Sequence, residues 1–125
     1  MKLIFTDKAP TPAGHYSQAV VSKGMVYVSG QLGIRPDGTK MIGEPIEDQM
    51  RQIFTNIKAI LEEAGSSIAQ IVRVTIYVSD GENWGRVNQT YIDIFGDHKP
   101  ARAVVPTRDL HYGLDIEVTV TAEAD

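Results

Sequence analysis

The sequence has no cysteine and no long apolar run. The absence of cysteine among 125 residues excludes disulfides, thiolate nucleophiles and cysteine-based zinc sites. No stretch approaches the roughly 20 apolar residues of a membrane span, and the apolar start of MKLIFTDKAP (1–10) is too short for a signal peptide. We therefore expect a cytoplasmic protein with no membrane partner.

Basic residues are also scarce, with 12 Lys and Arg against 16 Asp and Glu. The resulting net charge of −4 argues against a nucleic-acid partner, because binding to phosphates requires a basic surface. No nucleotide-binding glycine motif is present and the histidines lack ligand spacing, so we expect neither cofactor nor metal. No repeat or linker interrupts the chain, so residues 1–125 are expected to form one domain.

Two stretches carry the apolar spacing of three and four that is typical of amphipathic helices, Ile46–Ala64 and Trp84–Phe95. On this spacing Trp84 and Tyr91 are interpreted as core residues. Alternating or β-branched stretches predict strands, with a hairpin turn at Lys23-Gly24. The predicted strands are 17–30 (two strands), 71–79, 101–105, 114–124 and a further short one at 2–5. This order predicts a two-layer α+β fold, a mixed β-sheet with two helices on one face.

The second sheet face is expected to lie open in a single chain. In the last strand Asp115 and Glu117 alternate with apolar residues, so they point away from the core. We interpret the open face as carrying Arg102, Asp115 and Glu117. A chain of this length cannot cover that face itself, so we expect homo-oligomerisation.

Arg102 is the strongest candidate for binding chemistry. Its guanidinium has the planar fork that matches a carboxylate, although a surface arginine reaching into water is an equally good reading of the pattern. Asp115 and Glu117, roughly 6–7 Å apart along a strand, could orient a water molecule or form a solvated strand face. At the end of a strand, Ser29-Gly30 could offer backbone N–H groups to a ligand oxygen.

Several stretches together resemble one family. They are GHYSQAV (14–20), SGQ (29–31), KAILEEAGSS (58–67), VNQTY (87–91), HKPARAVV (98–105) and DIEV (115–118). In this order they are similar to the RidA/YjgF family, the reactive-intermediate deaminases. The resemblance implies a chorismate-mutase-like fold and a homotrimer with sites between subunits. It also implies cofactor-free hydrolysis of 2-imino acids, such as 2-iminobutanoate and 2-iminopropanoate, to 2-oxo acids and ammonia.

The resemblance also implies roles for individual residues. Arg102 matches the arginine that binds the substrate carboxylate, and Tyr16 matches the tyrosine that lines the cleft. Gly30 with Ser29 matches the backbone segment that contacts the ligand, and Asn88 matches an asparagine near the cleft on the second helix.

Three positions depart from the pattern of the family. His15 stands where many members have proline, and Val104 stands where many have cysteine. The water-positioning glutamate of the last strand aligns with Asp115, after a connection (TRDLHYG, 107–113) that is shorter than in other members. Aspartate reaches less far by one methylene, so either the backbone compensates or Glu117 performs this role.

Three functions are compatible with these observations. The leading hypothesis is a 2-iminobutanoate/2-iminopropanoate deaminase that uses Arg102 and one of the two carboxylates. The alternative is a non-catalytic protein that binds 2-oxo acids or other small carboxylates in the same cleft. A chaperone-like or RNA-directed role is a third class, and the acidic charge balance counts against RNA.

Overall fold

A computed structural model describes residues 1–125 as one six-stranded sheet and two long helices. In chain order the elements are β1 (Lys2–Ile4), β2 (Ala19–Ser22), β3 (Met25–Leu32), α1 (Ile46–Glu63), β4 (Ile71–Val78), α2 (Trp84–Phe95), β5 (Ala101–Pro106) and β6 (Ile116–Glu123). The strands lie in the order β1-β2-β3-β6-β4-β5, and only β4 and β5 pair in parallel. The predicted α+β fold with a mixed sheet is confirmed.

The helices form where the apolar spacing predicts them. In α1, residues such as Met50, Ile53 and Ile57 are fully buried against the sheet, and Gly65 follows its end with a φ of 79° that suits glycine. The sheet contributes buried side chains such as Val74 to the same core. Neither helix is both long and apolar enough to cross a membrane.

Trp84 corrects one prediction. Both Trp84 and Tyr91 were predicted to be core residues. Tyr91 is only 7% exposed and lies in the core, whereas half of the surface of Trp84 is exposed. Trp84 is the first residue of α2, and a helical side chain leans back over the turn that precedes it. That turn is the 3-10 turn Gly81–Asn83, which contains no buried residue, so the apolar spacing does not bury Trp84.

The placement of Arg102 on the open face is wrong. In the β4–β5 ladder Arg102 pairs with Val74, which is fully buried on the helix side, and Val104 packs against the same core. Directly paired residues point to the same face of a sheet, so Arg102 lies on the side of the helices. In ARAVV both alternating sets contain small or apolar residues, and the pattern could not show which set faces inward.

Glu117 does face away from the helices, as predicted. It pairs with Leu32 of β3 and Tyr77 of β4, while its neighbours Ile116 and Val118 are fully buried in the core. The same open face carries exposed apolar side chains further along, including Tyr27 and Leu3.

Candidate functional site

A cavity of about 480 Å³ opens beside the end of β3. This volume falls within the roughly 300–1,000 Å³ that is typical of pockets for small ligands. Its wall includes Tyr16, Gly30, His111 and Tyr112. Two of the residues predicted for the site, Tyr16 and Gly30, therefore lie together.

The segment that carries Tyr16 is held in place by Gln18. This side chain is 1% exposed, and its amide oxygen accepts a hydrogen bond from the Thr6 N–H at 2.7 Å. Its amide nitrogen donates to the carbonyls of Thr6 and Pro10, each at 3.0 Å. A buried amide with these partners fixes the path of the backbone on both sides of it. The cavity wall around Tyr16 is therefore part of the folded framework.

Ser29 belongs to this framework and does not line the cavity. Its hydroxyl donates to the Ser17 carbonyl at 2.7 Å, and its N–H donates to the Gln18 carbonyl at 2.9 Å. The β3–β6 register shifts between Val28 and Gln31, so Ser29 lies in a bulge of β3. Its side chain is thus occupied in joining β3 to the segment before β2.

Gly30 lies directly against the carboxylate of Glu117. A Cβ atom at position 30 would overlap Glu117 Oε2 and would lie 3.0 Å from its Cδ. Only glycine therefore lets the carboxylate approach the backbone of β3 this closely. The conformation of Glu117 at the cavity depends on the missing side chain of Gly30.

The carboxyl of Glu117 is electrostatically perturbed. Burial raises its pKa above the ordinary value, and the charge of His111 acts in the opposite direction. A carboxyl with a raised pKa beside a cavity has the properties of a group that accepts and returns protons.

Asp115 has a different environment. Its carboxylate accepts a hydrogen bond from Gln49 Nε2 at 2.8 Å, and its N–H donates to Gln49 Oε1 at 3.0 Å. Gln49 is fully buried on α1, so this reciprocal pair ties the start of β6 to the helix. Neither Asp115 nor Glu117 is part of the cavity wall, but the Glu117 carboxylate contacts Gly30, which lines the cavity. The geometry favours Glu117 over Asp115 as the carboxylate of the site.

Arg102 and Asn88 form a second group, between β5 and α2. Arg102 Nη1 donates to Asn88 Oδ1 at 2.9 Å. The guanidinium carbon lies 4.7 Å from the centre of the Tyr91 ring, within the range of a cation–π contact. No Asp or Glu forms a salt bridge with Arg102. Its positive charge is therefore held by neutral partners and stays available to an anion.

These two groups lie on opposite faces of the sheet. Glu117 faces away from the helices beside the cavity, whereas Arg102 faces them, and β4 lies between β6 and β5. The predicted residues therefore form two half-sites in one chain: Tyr16, Gly30 and Glu117 in the first, and Asn88 and Arg102 in the second.

His111 and Tyr112 also line the cavity, although the sequence predicts neither of them as a site residue. They lie in a short 3-10 turn before β6, in which Tyr112 has a φ of 62°. Lys40 lies 4.7 Å from the centre of the Tyr112 ring and also lines the cavity. Their spacing carries no motif, so the only sequence signal was an aromatic pair before Gly113. No cluster of three or more potential metal ligands occurs in the chain.

Comparison with known proteins identifies the family. The family model for endoribonuclease L-PSP matches residues 6–124, nearly the whole chain. The chain is 44% identical over 124 residues to a RutC family protein of Aquifex aeolicus, with 98% of both chains covered. The chain belongs to the RidA/YjgF family.

One further relative and two solved structures are similar to the chain over nearly its whole length. A 2-iminobutanoate/2-iminopropanoate deaminase of Dermatophagoides farinae is 34% identical over 117 residues, covering 94% of this chain and 91% of its own. The RidA structure from a Psychrobacter species has a TM-score of 0.93 at 35% identity, covering 98% of this chain and 99% of its own. Escherichia coli TdcF, with bound serine, has a TM-score of 0.92 at 30% identity over 100% of both chains. The YjgF-like fold expected from the resemblance is confirmed.

Proposed function

We propose that this protein hydrolyses 2-imino acids and their enamine tautomers to 2-oxo acids and ammonia, with 2-iminobutanoate and 2-iminopropanoate as substrates. The single observation that carries the proposal is the pair of half-sites. One presents an arginine whose charge no carboxylate neutralises, and the other presents a carboxyl whose pKa is raised beside a cavity. The name of the Dermatophagoides farinae relative supports the same activity.

The chemistry requires little more than these groups. The carbon of an imine is already electrophilic, so water adds to it and the nitrogen takes up a proton to give a carbinolamine. The carbinolamine then loses ammonia and leaves the 2-oxo acid. Arg102 would bind the substrate carboxylate with its free N–H donors. Glu117 would accept a proton from the attacking water and return it to the departing nitrogen. No step needs a cofactor or a metal.

A site of this kind needs two copies of the chain. Arg102 and Glu117 face opposite sides of one sheet, so a single chain cannot apply both to one substrate. The open face carries the exposed side chains of Leu3 and Tyr27, which a neighbouring copy would cover. We therefore propose a homotrimer in which each site combines Arg102 and Asn88 of one subunit with Tyr16, Gly30 and Glu117 of the next.

The activity is tested with the imine that threonine dehydratase releases. Purified protein is expected to accelerate the appearance of 2-oxobutanoate from this imine, measured at constant dehydratase activity. A heat-denatured sample provides the baseline for uncatalysed hydrolysis. A rate equal to this baseline over a range of protein concentrations contradicts the proposal.

A second candidate is a non-catalytic protein that binds small carboxylates at the same residues. The observation that favours it is the serine bound to Escherichia coli TdcF, because serine is an amino acid with a free carboxylate. Calorimetry that detects binding of 2-oxobutanoate, lost in Arg102→Ala, combined with no turnover of the imine, would select this candidate.

The contact between Gly30 and Glu117 leads to a first prediction. Gly30→Ala is expected to push the Glu117 carboxylate away from β3 by about 1 Å and to lower kcat on the order of a hundredfold. Steady-state kinetics of imine hydrolysis measures the change. Gly85→Ala is the matched control, because the added methyl group meets no atom within 4 Å apart from its chain neighbours and the local helix backbone, and alanine favours the helix. Equal activity of Gly30→Ala and wild type would contradict the role of Glu117.

The raised pKa of Glu117 leads to a prediction about pH. Because Glu117 must be ionised to accept a proton, kcat/KM is expected to fall with decreasing pH at a midpoint above the ordinary glutamate value of 4.5. His111→Gln removes the positive charge that lowers the pKa of Glu117, so this midpoint should move to higher pH. Rates are divided by the uncatalysed rate at each pH to remove the titration of the imine itself. An unchanged midpoint in His111→Gln contradicts the coupling.

A further inference from the structure

Tyr91 lies beneath the guanidinium of Arg102 and is almost completely buried. The Arg102 guanidinium carbon is 4.7 Å from the centre of the Tyr91 ring. Tyr91 is 7% exposed and belongs to the hydrophobic core. The aromatic face carries negative partial charge, which attracts a guanidinium placed above it. The ring therefore stabilises the guanidinium through a cation–π contact.

Other aromatic rings hold the Tyr91 ring in position. Tyr91 stacks on Phe95 with the ring centres 4.4 Å apart and an angle of 25° between the planes. Phe54 of α1 meets Tyr91 edge-on, with centres 6.5 Å apart and an angle of 81°. Such pairs restrict both the tilt and the position of a ring. The position of Tyr91 is thus determined by both helices.

Asn88 fixes the guanidinium at a second point. It lies three residues before Tyr91 on α2, so both side chains lie on the same side of the helix. Asn88 Oδ1 accepts from Arg102 Nη1 at 2.9 Å, while the Tyr91 ring lies against the guanidinium. The hydrogen bond to Asn88 fixes the direction of one N–H group of Arg102, and the Tyr91 ring limits rotation of the guanidinium plane. The remaining donors of the guanidinium stay free.

We propose that Tyr91 is a positioning residue, whose ring holds the guanidinium of Arg102 in the orientation that binds the substrate carboxylate. The proposal rests on the proposed function of Arg102 and deepens it. A carboxylate partner in the chain would fix the arginine equally well, but it would compete with the substrate for the same N–H donors. A neutral ring and a neutral amide fix the guanidinium without that competition.

The hydroxyl of Tyr91 provides a way to test the ring alone. It is buried and has no hydrogen-bond partner in the chain. Tyr91→Phe removes this unpartnered group and keeps the ring, so the variant is expected to be at least as stable as the wild type. Tyr91→Leu removes the ring as well, so the guanidinium loses its cation–π contact.

The experiment compares three variants, Tyr91→Leu, Tyr91→Phe and Ile4→Val. The dissociation constant of 2-oxobutanoate, measured by calorimetry, is expected to rise about tenfold in Tyr91→Leu and to stay within about twofold of wild type in the other two. KM of imine hydrolysis should rise in parallel, while kcat changes little. Ile4→Val controls for weakened packing, because it removes a methyl group from the core on β1, at the sheet edge opposite β5, and leaves the aromatic cluster intact.

A loss in Tyr91→Phe equal to that in Tyr91→Leu would overturn the proposal, since the hydroxyl would then be the active group. An equal loss in Ile4→Val would also overturn it, because general packing would explain the effect. Circular dichroism and thermal unfolding verify that each variant is folded before its affinity is interpreted.

A spectroscopic measurement keeps this proposal separate from the proposed function. The Arg102 Nε–H signal, assigned by its loss in Arg102→Lys, should be shifted upfield by the ring current in wild type and in Tyr91→Phe. It should return toward the position of a free arginine in Tyr91→Leu. If the imine is not hydrolysed but the shift behaves in this way, the proposed function fails while the positioning role stands. An unshifted wild-type signal overturns the positioning role itself.

Discussion

Replacement of Arg102 by alanine is expected to lower kcat/KM for imine hydrolysis by about thirtyfold to several-thousandfold, because truncation of one partner of a buried charge pair typically costs about 2–5 kcal/mol. In the proposed site the guanidinium is the only group that binds the substrate carboxylate. The loss should also appear as undetectable binding of 2-oxobutanoate in calorimetry. The fold should survive, since Arg102 contributes one hydrogen bond and one ring contact to the chain.

Two control variants separate the fork of the guanidinium from its charge. Arg102→Lys keeps the charge without the planar fork, so it should recover only a small part of the lost affinity. Arg51→Ala removes an arginine of the outer helix surface, which pairs with Asp93 at 3.4 Å and is about half exposed. Such exposed pairs contribute little, so its kinetics should match the wild type. An Arg102→Ala variant with wild-type affinity for 2-oxobutanoate would contradict the assignment.

Much of the fold could be predicted from the sequence because burial leaves a periodic signal. The apolar spacing correctly predicted the first residue of α1 and of α2. Lys23-Gly24 predicted the turn between β2 and β3, where both residues have positive φ. The sheet order could not be read in the same way. The insertion of β6 between β3 and β4 depends on pairing between distant segments, and it leaves no local pattern.

The candidate site was harder to predict because its geometry depends on single residues. In β5 the choice of face for Arg102 rests on which alternating set meets the helices, and the buried Val74 of the neighbouring strand decides it. Between Asp115 and Glu117 the pattern gave no preference. The buried Gln49 occupies the first carboxylate, while Gly30 makes room for the second. Neither partner is near in sequence.

Glu117→Gln is the second variant with a large expected effect. General acid–base catalysis typically contributes 10²–10⁴-fold, so kcat should fall by about this factor while KM changes little. Glutamine keeps the shape of the side chain against Gly30 but cannot accept a proton from water. Binding of 2-oxobutanoate should therefore survive in calorimetry, which distinguishes this variant from Arg102→Ala.

The same substitution should stabilise the fold at neutral pH. Burial raises the pKa of Glu117 in the folded state, so the ionised carboxylate lowers the free energy of unfolding at any pH above that raised pKa. As the pH falls through the raised pKa, the folded protein takes up the proton first and the penalty disappears. Glu117→Gln should therefore unfold at a higher temperature than the wild type near pH 7, and the difference should vanish below the ordinary value of 4.5.

Asp115→Asn is the matched control for the carboxylate. The asparagine oxygen can still accept from Gln49 Nε2, and the backbone N–H still donates to Gln49 Oε1. We expect kcat within about threefold of wild type and a loss of about 1 kcal/mol in the free energy of unfolding, as is typical of one weakened hydrogen bond. A larger loss of kcat in Asp115→Asn than in Glu117→Gln would reverse the assignment of the two carboxylates.

Mixing the two inactive variants tests whether the half-sites meet between subunits. Arg102→Ala chains keep Glu117, and Glu117→Gln chains keep Arg102, so an interface that joins one of each in the right order contains a complete site. Unfolding and refolding an equal mixture should assort the chains at random and restore about one quarter of the wild-type sites. Refolding each variant alone should restore none. Recovery of activity in the mixture cannot arise from a site within one chain, whereas its absence, with mixed oligomers verified by mass spectrometry, would contradict a shared site.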